Sequence, residues 1–224
     1  MGIRKRAVRG CTALVSSVVI ALPVVAAVAP AHAAEAAAQP GGKVVISEIA
    51  NGGPGGYHDN FIEIANWGDE PVDVSGWELF RCTGTGSVAS TPQNTLQGTI
   101  GAGERWLFAR ESDQSTIADA DVKQRYKTSL ANESYGALLR DSSGEDVDAV
   151  AVQFPGTANQ ACGEGTVLAN TTDSAAGESF QRTQDTDDNA ADFVRAPRTP
   201  GAENATEPSA APKRGDVLIS EVAH

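Results

Sequence analysis

Asp59-Asn60-Phe61-Ile62-Glu63-Ile64-Ala65-Asn66 runs on through Trp67-Gly68-Asp69-Glu70-Pro71 into Val72-Asp73-Val74-Ser75-Gly76-Trp77-Glu78-Leu79-Phe80. In an extended chain Phe61 and Glu63 fall on one face, Ile62 and Ile64 on the other. The middle run carries Gly, Asp and Pro, residues that turn a chain. The last run is β-rich again. Ser75-Gly76 in its midst reads as a bulge that re-aims Trp77 inward. Strand, turn and strand in this order fit one stretch of an antiparallel sandwich.

The same grammar extends in both directions. Residues 44–49 form an apolar strand, followed by the glycine-rich loop 51–56. Downstream come a polar loop at 84–93, a short strand at 96–100, a tight turn at 101–103, and a strand at 105–109. Residues 119–126 read as one or two helical turns. Residues 135–140 and 147–152 pair as a hairpin through Asp141-Ser142-Ser143-Gly144. Short strands at 177–182 and 192–195 follow, and Pro197, Pro200 and Gly201 end the pattern. Strands between turn signals about every 8–12 residues predict an all-β chain, an antiparallel sandwich. Trp77, Leu79, Trp106 and Phe108 belong to its core. Trp67, in a turn, suits a partly exposed contact surface.

Both ends of the chain read differently. Arg4, Lys5, Arg6 and Arg9 precede an apolar run from residue 13 to 29, and Ala31-His32-Ala33 supplies an A-x-A cleavage site after Ala33. This predicts a secretory signal peptide over 1–33. The run is short and holds Pro23, which argues against a membrane anchor. Residues 34–42 are a spacer, 43–204 the domain, and 205–215 a linker. Residues 216–224 then begin Asp-Val-Leu-Ile-Ser-Glu-Val-Ala, echoing Lys43-Val44-Val45-Ile46-Ser47-Glu48-Ile49-Ala50. The echo predicts the first strand of a truncated second repeat.

The formal charge is −12, and without the four basic residues of the leader it is −16. Such a surface repels phosphate backbones and anionic membranes, so unaided nucleic-acid binding is not expected. The same cleavage leaves Cys82 and Cys162, an even count in an exported chain and hence one disulfide. Closing the 80-position loop between them stabilises by about 4–5 kcal/mol on the chain-entropy model. Two buried free thiols are the other reading.

No constellation of catalytic residues emerges. His58 sits in the glycine-rich loop and reads as solvated, and no G-x-S-x-G elbow accompanies it. Glu48 and Glu63 lack the aromatic cleft of a glycosidase, and read as caps on backbone amides or as partners of neighbouring strands. Asp185, Asp187 and Asn189, with Asp192, place oxygen donors at alternate positions and suggest a Ca²⁺ loop. Ala190 and Ala196 stand where an EF-hand needs Gly and Glu, so that loop type is excluded. An Asx-rich turn reads the same residues without a metal.

Taken together, Val45-Ile46-Ser47-Glu48-Ile49, residues 59–66 and residues 70–79 resemble the lamin tail domain as it occurs in bacterial secreted proteins. Ile100-Gly101-Ala102-Gly103-Glu104, the 137–148 hairpin, and the segments 177–182 and 185–193 resemble its later pieces. The likeness spans about residues 43–204. It implies an immunoglobulin-like β-sandwich in which Glu48, Glu63, Asn66 and Gly76 are structural. Asn60 stands where the family usually has Glu, and Ala149 follows Asp148 where it often has an aromatic. The expected function is a secreted, non-catalytic binding or structural module of a repeat-containing extracellular protein, with an extracellular ligand or cell-envelope component as partner. No cofactor is implied apart from the Ca²⁺ of the 185 loop. The second expectation is an accessory module of an exported nuclease or phosphatase whose catalytic domain lies beyond residue 224.

Overall fold

A computed structural model describes residues 43–155, 162–170 and 177–205. The chain falls into two units, residues 1–32 and 33–224, and every described residue belongs to the second. The leader with its cleavage point at Ala33, the spacer to residue 42, and everything from residue 206 on lie outside the described residues.

The described chain is an immunoglobulin-like β-sandwich built mostly of antiparallel pairs. Its strands are β1 (Val44–Ala50), β2 (Phe61–Asn66), β3 (Val72–Asp73), β4 (Glu78–Cys82), β5 (Asn94–Thr95), β6 (Thr99–Ile100) and β7 (Arg105–Arg110), then β8 (Val122–Tyr126), β9 (Tyr135–Arg140), β10 (Asp146–Gln153), β11 (Leu168–Ala169), β12 (Glu178–Arg182) and β13 (Phe193–Pro197). One sheet runs β13-β12-β1-β2-β7-β8, the other β11-β10-β9-β4-β5, and β3 pairs β6 as a small ribbon. Between the two large sheets lie Val44, Ile46, Ile49, Ile62, Ile64, Leu79, Trp106, Phe108, Val150, Val152, Phe180 and Phe193. Leu79, Trp106 and Phe108 are core, as expected. Trp77 is only half-buried and packs on the core's margin. Trp67 is half-buried as well.

Strand β1 carries the decisive irregularity. Its register against β2 shifts between Ile46 and Glu48. Strict alternation would turn Glu48 toward the core with Ile46. The bulge adds one residue, so Ser47 and Glu48 both face outward while Ile46 and Ile49 both face inward. On the outer face Phe61 meets Ala50, Leu107, Ala109 and Ile117, so β2 is buried on both sides.

Three local expectations change. Residues 72–80 are not one bulged strand but two short ones, because Gly76 (φ 81°) makes a turn that carries the chain from the ribbon into the second sheet. Of the strand expected at 96–100 only Thr99–Ile100 forms, after Gly98 at φ 103°, a backbone region that favours glycine. Over 119–126 only Asp119–Asp121 is helical, as a 3₁₀ turn, and Val122–Tyr126 is a strand parallel to β7. There the free edge of β7 supplies hydrogen bonds that a short exposed helix could not match.

Cys82, at the end of β4, is bonded to Cys162, with Cα atoms 6.3 Å apart. The pair packs on Ala151 and fastens the segment after β10 to the second sheet. No helix among the described residues is long and apolar enough to cross a membrane. Replacing both cysteines by alanine is expected to lower the unfolding free energy by about 2–5 kcal/mol, read from denaturant titration under non-reducing conditions. An unchanged midpoint would mean that the bridge does not constrain the chain.

Candidate functional site

Period-2 alternation puts Phe180 and Arg182 of β12 on the inner face, and Asp148, Val150 and Val152 of β10 on the facing one. Arg182 and Asp148 therefore meet between the sheets, with Arg182 fully buried. The guanidinium donates to Asp148 Oδ1 at 2.5 Å, Asp185 Oδ1 at 2.7 Å and the Ile46 carbonyl at 3.0 Å. It also lies 3.5 Å from Asp192, 3.7 Å from Glu164, and over the ring of Phe193. The Ile46 N–H donates to the other oxygen of Asp148. Both backbone groups of Ile46 are thus taken by side chains, just beyond the point where the β1–β12 ladder stops. Burial pushes the Asp148 and Glu164 carboxyls up, against the pull of Arg182.

Among the described residues, the carboxylates able to share one metal ion are Asp148, Glu164 and Asp185, whose oxygens lie within 4.8 Å of one another. Arg182 already stands against all three. Of the four donors expected to form a Ca²⁺ loop, Asp185 and Asp192 both face Arg182, and Asp187 and Asn189 are turned elsewhere. Asp185 takes Lys43 and Arg182. Asp192 accepts from the Thr186 amide and hydroxyl at 2.9 and 2.7 Å. Asp187 is exposed, with φ 58°. Asn189 lies along the edge of β10, where its Oδ1 accepts from the Ala151 amide at 3.0 Å and its Nδ2 donates to the Ala149 carbonyl at 2.9 Å. A side-chain amide there replaces a rung of the sheet and blunts the edge. Asp188 caps the helical turn α1 (Asn189–Asp192).

On the outer face Glu48 and Glu63 stand opposite each other, and both are fully buried. They are covered by residues 198–204, which cross the sheet after β13. Glu48 accepts from the Thr199 amide at 2.9 Å, the Thr199 hydroxyl at 2.8 Å and the Ser179 hydroxyl at 2.5 Å. Glu63 accepts from the Gly201 amide at 2.8 Å and the Ser47 hydroxyl at 3.0 Å. Asn204 donates to the Ser47 carbonyl at 2.9 Å and completes the strap. Burial, and then the neighbouring Glu48 charge, push the Glu63 carboxyl up to about 7. Burial raises Glu48 too. Asn66 closes the β2–β3 turn, accepting from the Lys43 and Gly68 amides and donating to the Glu70 and Ile100 carbonyls.

At one end of the sandwich, Asp59 ties two loops together. Its carboxylate accepts from the Gly55 amide, from the Thr116 amide and hydroxyl, each at 2.6 Å, and from the Ser115 hydroxyl at 3.0 Å. Arg198 donates to the carbonyls of Gly52 and Asp59 at 3.0 and 2.9 Å. Its guanidinium fills the space that a Cβ on Gly53 would need. His58 Nδ1 lies 2.8 Å from both Arg110 Nη1 and Ser112 Oγ. Arg110 can only donate, so it occupies the lone pair that a base would use on Ser112. An open cleft of about 310 Å³ lies between these loops and the strap, lined by Pro54, Thr116, Ile117, Asp121, Arg198 and Pro200.

The Lamin Tail Domain family matches residues 37–153, just over half of the chain. The chain belongs to the lamin tail domain family. No curated protein matches it. In this lamin tail domain the match stops at the end of β10, yet β12 and β13 lie beyond it and complete the first sheet. Arg182, Arg198 and the strap amides come from that later part. Reading the residues one at a time missed Arg182, Asp148 and Asp59. The signal for the first two was their phase: each falls at an apolar-facing position of its strand.

Arg182→Met leaves several carboxylates buried without their cation and is expected to cost about 3–5 kcal/mol in urea unfolding. Adding Asp148→Leu should restore part of the loss, and a coupling energy below ~0.5 kcal/mol would show that the two do not act as a pair. A second expectation concerns pH. The folded chain keeps a proton on Glu63 up to about pH 7, whereas an unfolded chain releases it near 4.5. This contribution is full below pH 4.5 and is lost as pH rises through about 7, on the order of 3 kcal/mol in all. Glu63→Gln should flatten the slope of the urea midpoint against pH across that window.

Proposed function

We propose that this lamin tail domain is a secreted, non-catalytic binding or structural module of a larger repeat-containing extracellular protein. The reading is carried by one observation. The groups best suited to acid–base work, Glu48, Glu63, Asp148 and Asp192, are sealed from solvent and bonded to the protein's own amides, hydroxyls and arginine. Their chemistry is spent on holding strands and loops in place. What faces solvent is a rigid loop end, the part of a sandwich best placed to carry recognition.

The leader, the disulfide and the acidic balance support export. The echo of β1 beyond residue 215 supports a repeat array, and a cell-envelope component or extracellular ligand is the partner class that fits. Residues 34–224, purified in oxidised form, should co-sediment with cell-envelope preparations and not with double-stranded DNA. Turnover of a phosphodiester substrate that Glu63→Gln abolishes would overturn the non-catalytic reading.

A further inference from the structure

The glycine-rich loop reads in sequence as solvated punctuation. Its structure is far more determined than that. Gly53 and Gly56 exchange backbone hydrogen bonds at 3.0 and 2.8 Å, and Gly56 sits at φ 64°, where a side chain would be strained. The turn Tyr57–Asp59 follows, pinned from beneath by Asp59 to Gly55, Ser115 and Thr116. Asn60 donates to the Tyr57 carbonyl at 2.5 Å, and its Oδ1 accepts from the buried hydroxyl of Tyr126 at 2.7 Å.

All of this holds Tyr57, which at 52% exposed is the most exposed large hydrophobic residue of the described chain. Its ring is steadied by the His58 imidazole, with centroids 4.0 Å apart, and by the Arg110 guanidinium, 4.8 Å from its centroid. Ser112 and Arg110 share His58 Nδ1, so the polar groups around the ring are fixed in turn. Leaving an aromatic surface wet is unfavourable, and immobilising it adds an entropic cost. A rigid, exposed Tyr beside an Arg is the composition of a binding anchor, because little conformational freedom remains to be lost on contact.

We propose that Tyr57 is a stacking platform for a neutral saccharide. The charge of the chain, −12 overall, disfavours polyanions such as nucleic acid or acidic glycans. An aromatic face offers a surface to the C–H side of a sugar ring. The Arg110 guanidinium, the Ser112 hydroxyl and the His58 imidazole supply hydrogen-bonding groups suited to sugar hydroxyls at the margin. This rests on the binding-module reading above and names its ligand class.

The test is affinity electrophoresis of residues 34–224 through gels containing a neutral β-glucan, amylose or xylan, with heparin as the polyanionic control and envelope co-sedimentation run in parallel. At least one neutral polysaccharide should retard the wild type, and heparin should not. Tyr57→Ala should weaken that retardation about tenfold, while Tyr57→Phe, which keeps the ring, should stay within about twofold. Retardation unchanged in Tyr57→Ala overturns the platform. Envelope binding without any neutral-polysaccharide binding also overturns it, while the module reading stands. Loss of both kinds of binding in the wild type overturns both. An unchanged unfolding midpoint for Tyr57→Ala ties its effect to the ligand, and a collapse of that midpoint assigns Tyr57 to the fold and overturns the proposal.

Discussion

A guanidinium sealed between two sheets must be met by acceptors on every side, or the sheets cannot close over it. Arg182 is in that position, and much of the architecture follows from it. Asp148 reaches it from the opposite sheet, Asp185 and Asp192 from the loop after β12, and the Ile46 carbonyl from β1. Such a cluster contributes little net stability compared with a well-packed apolar one, because desolvating the charges is so costly. What it does fix is placement. The pair sets β10 against β12 in one arrangement, since a shift of either strand by one residue would turn its charge outward and leave the partner's charge unpaired between the sheets. The fully satisfied network also explains why β1 can leave its ladder with β12 early without orphaning the backbone of Ile46.

The outer face of the same sheet follows a related logic with the sign reversed. Like charges opposite each other on adjacent strands repel. Glu48 and Glu63 occupy such a pair because the bulge in β1 turns Glu48 outward. The strap then covers both with donors from Thr199 and Gly201 and leaves Glu63 with a carboxyl pushed up to about 7. One shared need, acceptors for the strap amides and a proton for one of the acids, joins the end of the domain to its first two strands. This is why sheet residues well beyond the family match belong to the fold in the physical sense. Without them, two carboxylates on β1 and β2 would stand on an open sheet face.

Most of the architecture was legible in the residues, and the sites were less so. Strand alternation and glycine turns were enough for an all-β sandwich and for Leu79, Trp106 and Phe108 in its core. The bulge in β1 was also written there, since Ile46 and Ile49 are three apart where a regular strand would have two. Asp148 falls in phase with Val150 and Val152, and Arg182 with Phe180, so both were readable as inward charges. Treating charge as a mark of solvent hid them. Other features could not be read locally. Arg110 meets His58 across 52 positions of sequence, and Asp59 meets Thr116 across 57. Nothing in either segment names its partner. The parallel pairing of β8 depends on a free edge that exists only once β7 is in place.

The use of arginine has a consequence for the surface. Arg182 and Arg198 have side chains 0% and 8% exposed, and Arg105 reaches toward Glu63 from a largely covered position. Cations also lie over the rings of Tyr57, Phe61, Phe80, Trp106, Phe180 and Phe193. Arg182 and Arg198 are consumed in holding the fold together, whereas the acidic side chains of loops such as 111–121 stay in water. Glu48, Asp59, Glu63, Asp148 and Asp192 are withdrawn into the fold as well, so what an approaching ligand meets is the exposed acids of such loops, in a chain of formal charge −12. Such a surface disfavours a polyanion. Recognition of a neutral ligand at the loop end then rests on shape, on stacking and on the hydrogen bonds that Arg110 and Ser112 offer beside a held tyrosine.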